Sequence, residues 1–126
     1  LAKQTGEIYG IDRYGPGMAE KGVSPEIALR RARAWGVDLR LTVAESSPWP
    51  LPDVCPVVAL IDGSHNYQPC LTDWGNLKDR TKRFILFHDY KPEKNNSVAG
   101  VVEIAKQDKN WRFVGKSGWM AVFERC

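Results

Sequence analysis

The chain has 126 residues, 43% of them apolar and 26% charged, values that suit one globular domain and exclude a disordered tail, a collagen-like fibre and a coiled coil. Its longest apolar stretch, residues 54–61, is interrupted by Pro56 and falls far short of the roughly 20 residues of a membrane-spanning helix. The net charge of +3 comes from scattered Lys and Arg, clustered only at Arg30-Arg31-Arg33 and Lys78-Arg80-Lys82-Arg83, a weak footprint for nucleic acid.

In chain order, Glu7-Ile8-Tyr9-Gly10-Ile11 is a β-rich run that stops at Asp12, followed by the breaker cluster Gly15-Pro16-Gly17. Ser24-Pro25-Glu26 predicts a helix start: Ser as N-cap, Pro in the first helical position, an acid in the first turn. Ile27, Ala28, Ala32 and Trp35 recur at helical spacing up to Gly36. Residues 37–43 alternate and predict a strand with one wet face, and a proline-rich loop covers residues 47–56. Residues 57–61 are continuously apolar, the pattern of a strand buried on both faces. Tyr67, Leu71, Trp74 and Leu77 predict a second helix, and Phe84-Ile85-Leu86-Phe87 a second buried strand. Ser97 is the expected cap of a third helix with Val98, Val101, Val102 and Ala105 inward. Residues 111–114 and 119–123 predict two closing strands joined by a turn at Gly115-Lys116-Ser117-Gly118, too short for a crossover and therefore an antiparallel hairpin. Strands alternating with helices predict an α/β layered fold with a mainly parallel sheet. The five tryptophans are read as core. With no basic n-region before an apolar h-region, no signal peptide is read. Three cysteines (Cys55, Cys70, Cys126) without metal-type spacing predict a reduced, cytoplasmic chain.

Three predicted strands end in acids: Asp12, Asp62 and His88-Asp89. Ligands of open α/β sheets bind outside the carboxyl ends of the strands. One Asp after a strand is most often a turn residue or a cap. Three such ends, with both histidines of the chain beside two of them, favour a site. Gly115-Lys116-Ser117 is not a phosphate loop, because Asn110 stands where the motif's first glycine belongs and a strand intervenes. His65, His88 and Asp89 lack the spacing of a structural zinc site. A triad of Asp62, Ser64 and His65 is disfavoured, since near-adjacent residues rarely converge on one point.

Gly6-Glu7-Ile8-Tyr9-Gly10-Ile11-Asp12, Ala59-Leu60-Ile61-Asp62-Gly63-Ser64-His65-Asn66-Tyr67 and Phe84-Ile85-Leu86-Phe87-His88-Asp89-Tyr90 resemble the second, fourth and fifth strands of class I S-adenosylmethionine-dependent methyltransferases. The nearest branch is that of cephalosporin-hydroxylase-like proteins and macrolide-sugar O-methyltransferases. The resemblance covers about residues 6–124. It implies a Rossmann-like three-layer sandwich with a mainly parallel sheet ending in an antiparallel hairpin, and O-methylation of a small-molecule hydroxyl. Asp12 would bind the cofactor ribose, and Arg13, Glu45, Ser46 and Asp62 would complete the cofactor site. Asp62, His88 and Asp89 would hold a divalent cation, usually magnesium, and His65 would be the general base. The expected partners are a small-molecule methyl acceptor and another copy of the chain, with no specific nucleic acid and no membrane.

Nothing in residues 1–6 supplies the family's glycine-rich first loop, and residues 1–4 read at best as the tail of a first helix. The expectation is one methyltransferase-like domain over residues 1–126, N-terminally incomplete. Two competing classes stand beside it: an inactive methyltransferase-like binding module, and a metal-dependent α/β hydrolase using Asp62, His65, His88 and Asp89.

Overall fold

A computed structural model describes residues 6–15, 17–22 and 24–126. The helix tail read at residues 1–4 lies outside these, as do Pro16 of the breaker cluster and Val23. The chain divides into two compact units, Leu1–Pro50 and Leu51–Cys126.

The first unit contains β1 (Glu7–Asp12), a 3-10 turn (Ala19–Lys21), α1 (Pro25–Ala34) and β2 (Asp38–Val43). Ser24 is extended and its Oγ accepts from Ile27 N at 3.2 Å, so α1 begins at Pro25, where a missing N–H costs nothing. Gly36 takes φ 69°, which releases the chain from the helix. β1 and β2 are parallel, from Glu7 opposite Asp38 to Asp12 opposite Val43, with α1 in the crossover. None of the described residues of this unit is buried, and Trp35, expected inward, is 85% exposed. Two strands and one helix enclose too little volume to bury an indole at a helix end.

The second unit contains β3 (Val58–Ile61), α2 (Tyr67–Lys78), β4 (Phe84–Phe87), a 3-10 turn (Pro92–Lys94), α3 (Ser97–Ala105), β5 (Trp111–Ser117) and β6 (Met120–Arg125). Its sheet runs β3-β4-β6-β5, with β3 and β4 parallel and both pairings of β6 antiparallel. Ala59, Ile61, Ile85, Phe87, Ala121 and Phe123 fill one face and are buried. On that face Trp74 of α2 meets the rings of Phe87 at 5.8 Å, Trp111 at 5.9 Å and Phe123 at 6.0 Å. The Trp111 Nε1–H donates to Lys78 O at 3.2 Å, so burying the indole leaves no stranded donor. The buried side of α3, including Val98, Val101, Val102 and Ala105, belongs to the same core, and α3 packs on α2.

The Rossmann-like three-layer sandwich expected from the sequence is not the architecture. The strands form two small sheets, one of two strands and one mixed, rather than one mainly parallel sheet. The reason is visible at β3. Its burial alternates, with Ala59 and Ile61 inward while Val58 and Leu60 are each 53% exposed, and among the described residues it pairs only with β4. An unbroken apolar run reads the same whether one face or both are covered.

Three local expectations are also corrected. The hairpin turns at Gly118-Trp119 rather than over residues 115–118, because Gly115, at φ 154°, is absorbed into β5 at a bulge. Asn96, not Ser97, caps α3. Trp119, expected in the core, sits at the hairpin tip and is exposed. Among the described residues no helix is long and apolar enough to cross a membrane.

Cys70 lies on the buried side of α2, and burial pushes its thiol up to about 12. In the native protein, thiol titration at neutral pH is therefore expected to modify the exposed Cys55 and Cys126 and to spare Cys70 until denaturant is added. Rapid labelling of Cys70 under native conditions would contradict this packing.

Candidate functional site

The parallel register of β3 and β4 builds the main cluster. Ile61 stands opposite Phe87, and His88 N donates to Ile61 O at 3.0 Å, so the next residues, Asp62 and His88, emerge side by side at the carboxyl ends of the two strands. His88 Nδ1 lies 2.9 Å from Asp62 Oδ1 and 3.7 Å from Asp89 Oδ2. These separations allow ion pairing, yet among the described residues the buried Nδ1 finds no partner with hydrogen-bond geometry. His65 reaches the same place from the loop before α2, its Nε2 lying 3.1 Å from Asp89 Oδ2. That imidazole is half exposed, whereas the Asp89 carboxylate is mostly covered. The four side chains form one chain of alternating imidazoles and carboxylates: His65, Asp89, His88, Asp62.

Asp89 is its hub. Lys91 Nζ lies 3.2 Å from Asp89 Oδ1, leaving Oδ2 for the imidazoles. The Lys91 ammonium holds the Asp89 carboxyl below the usual aspartate range, chiefly through their hydrogen bond; burial opposes this, and the charges of Lys91 and the two imidazoles add to it. The resulting stabilisation is present above the ordinary carboxyl range and is lost as pH falls through the lowered native value.

In the first unit, Asp12 ends β1. Its Oδ1 accepts from Tyr14 N at 2.8 Å in an Asx-type turn, and its carbonyl accepts from Ala44 N at 3.1 Å. Arg13 Nη1 pairs with Glu45 Oε1 at 3.5 Å across the ends of the two strands, both side chains being largely exposed. Ser46 lies half-buried in the bend beyond β2. The structure thus brings Arg13 and Glu45 together beside Asp12, and separately gathers Asp62, His65, His88 and Asp89.

No protein-family model matches the chain, and a search of curated proteins finds no match.

The site residues fit the implied groups unequally. The Asp12 carboxylate is exposed and spends one oxygen on its own turn, so it retains acceptor capacity for a ribose hydroxyl. The proposed cation ligands suit magnesium poorly. Asp89 is already committed to an ammonium and an imidazole, and His88 offers nitrogen where a hard cation takes oxygen. Among the described residues no group of three His, Cys, Asp or Glu side chains is placed to hold a metal ion. Sequence reasoning gave neither Lys91 nor Asn96 a role in the site. Lys91 has no motif, and its only signal is its place two residues after Asp89. Asn96 directly precedes a helical apolar pattern, and the hydroxyl of Ser97 drew the cap assignment one residue too far.

Proposed function

We propose that the chain carries the catalytic residues of an S-adenosylmethionine-dependent methyltransferase acting on a small-molecule hydroxyl. The reading rests on the site and not on the fold. The observation that carries it is the His65–Asp89 pair, Nε2 to Oδ2 at 3.1 Å, at the carboxyl ends of two parallel strands. The residues whose pattern resembles the methyltransferases, Asp62, His65, His88 and Asp89, are the ones that meet there.

S-adenosylmethionine, when bound, supplies a methyl group on a positively charged sulfur that leaves as a neutral thioether. The chain's own part is to prepare the acceptor. With Nε2–H directed at Asp89, neutral His65 keeps Nδ1 as its acceptor atom. Nδ1 takes the hydroxyl proton as the oxygen forms its bond to carbon. Asp89 orients the ring and stabilises the imidazolium that results, as an orienting carboxylate does for a histidine base. No step is assigned to a metal.

The test uses the natural full-length polypeptide that contains this sequence. Radiolabelled methyl from S-adenosylmethionine is expected to appear on phenolic or sugar hydroxyls in an acceptor panel. Asp12→Asn is expected to weaken cofactor binding in calorimetry by about 1.5–3 kcal/mol, the range for hydrogen bonds to a charged group. Absence of cofactor binding, or binding unaltered by Asp12→Asn, would reject the respective assignment.

A further inference from the structure

Asp89 takes φ 57°, in the left-handed region that a residue other than glycine keeps only when its surroundings hold it. Asn96, seven residues on, supplies that hold. Its Nδ2 donates to Asp89 O at 2.7 Å, and its Oδ1 accepts from Lys91 N at 3.3 Å and from Ala99 N at 3.0 Å. One side-chain amide therefore clasps the backbone on both sides of Tyr90 and caps α3. The turn is pinned elsewhere too: Tyr90 is buried, its N–H donates to Trp119 O at 2.9 Å, and Lys91 Nζ lies 4.3 Å above the Trp119 ring.

We propose that Asn96 is a positioning residue for the His65–Asp89 pair: by holding the Asp89 backbone in its left-handed turn, it fixes the carboxylate between Lys91 and His65. Without the clasp, Asp89 relaxes toward negative φ. Its side chain then leaves the line between the Lys91 ammonium and the His65 imidazole, whatever reaction the pair serves. Helix capping alone would not need the amide nitrogen, since an oxygen suffices to cap. Here the nitrogen faces a carbonyl that no carboxylate or hydroxymethyl side chain could serve in the same way.

Asn96→Asp separates the two roles. It keeps the capping oxygens and loses the donor to Asp89 O. The expected result is a melting temperature within a few degrees of the parent. In nuclear magnetic resonance spectra, the strong intraresidue amide-to-Hα cross-peak that marks positive φ at Asp89 should disappear, together with contacts between the His65 ring and the Asp89 methylene. Methyl transfer should fall by about tenfold to a hundredfold through kcat, with cofactor affinity unchanged, the cost of a displacement on the order of 1 Å. If Asn96→Asp does not fold, Asn96→Ser, a shorter cap that also cannot reach Asp89, is read in the same way. An unchanged Asp89 signature in the folded variant overturns the proposal. A lost signature in a protein whose parent transfers no methyl group upholds the positioning role and overturns the methyltransferase reading instead.

Discussion

Replacing His65 with alanine is expected to cut methyl transfer by roughly 10²–10⁴-fold, the usual contribution of a positioned general base. Cofactor affinity should stay close to that of the parent, because His65 belongs to the acceptor side of the reaction. The ring is half exposed and lies 3.1 Å from Asp89, so its removal empties no part of the core and should leave the folded state intact. Added imidazole should restore part of the rate in His65→Ala, which separates base chemistry from mere crowding. Turnover within a few-fold of the parent would show that His65 is not the base. Asp89→Asn should also cut turnover, since the negative charge that stabilises the imidazolium is gone and the amide can favour the other tautomer of the ring.

Phe87→Ala is expected to destabilise the protein by about 3–5 kcal/mol in urea unfolding, which is a large share of the 5–15 kcal/mol that holds a typical domain folded. Phe87 is fully buried on a strand flanked on both sides, by β3 and β6. Its ring meets Trp74 at 5.8 Å and Phe123 at 5.7 Å. The space it leaves is lined by rings that are themselves pinned, Trp74 by its contacts with Trp111 and Phe123, so the cavity cannot collapse cheaply. Its neighbour in sequence is His88, and a loosened β4 would also disturb the juncture with Asp62. Trp35→Ala is the control: the indole is 85% exposed at the end of α1, and its loss should stay within about 0.5 kcal/mol. A loss below about 1 kcal/mol for Phe87→Ala would show that this aromatic cluster is not the core of the unit.

Local elements were legible because their causes lie within a few residues. Ser24-Pro25 starts α1 by a side-chain bond three residues long and by a proline that needs no partner. The spacing of Tyr67, Leu71, Trp74 and Leu77 announced α2, although of these only Trp74 and Leu77 are buried and Tyr67 is exposed, and Val98, Val101, Val102 and Ala105 announced α3 and are all buried. The acids at the strand ends were legible for the same reason, since an apolar run that stops at Asp marks where a strand meets solvent.

What covers a strand, and which side chains meet, depends on residues far along the chain. Residues 57–61 carry no mark telling that Val58 and Leu60 face outward while Ala59 and Ile61 are enclosed, and so the strand buried on both faces that this run suggests did not hold. Trp35 and Trp119 are as apolar as Trp74 and Trp111, yet only the latter two find a core to enter. The same distinction runs through the site. Asp62, His65, His88 and Asp89 were named from the sequence by residue type and position. That His65 pairs with Asp89, that His88 faces Asp62, and that Lys91 and Asn96 hold the hub were decided by the parallel register of β3 on β4 and the left-handed turn at Asp89. Hydrophobic period and capping are local energies that a sequence displays directly, whereas register and pairing are chosen by the packing of whole elements, which no short stretch of residues contains.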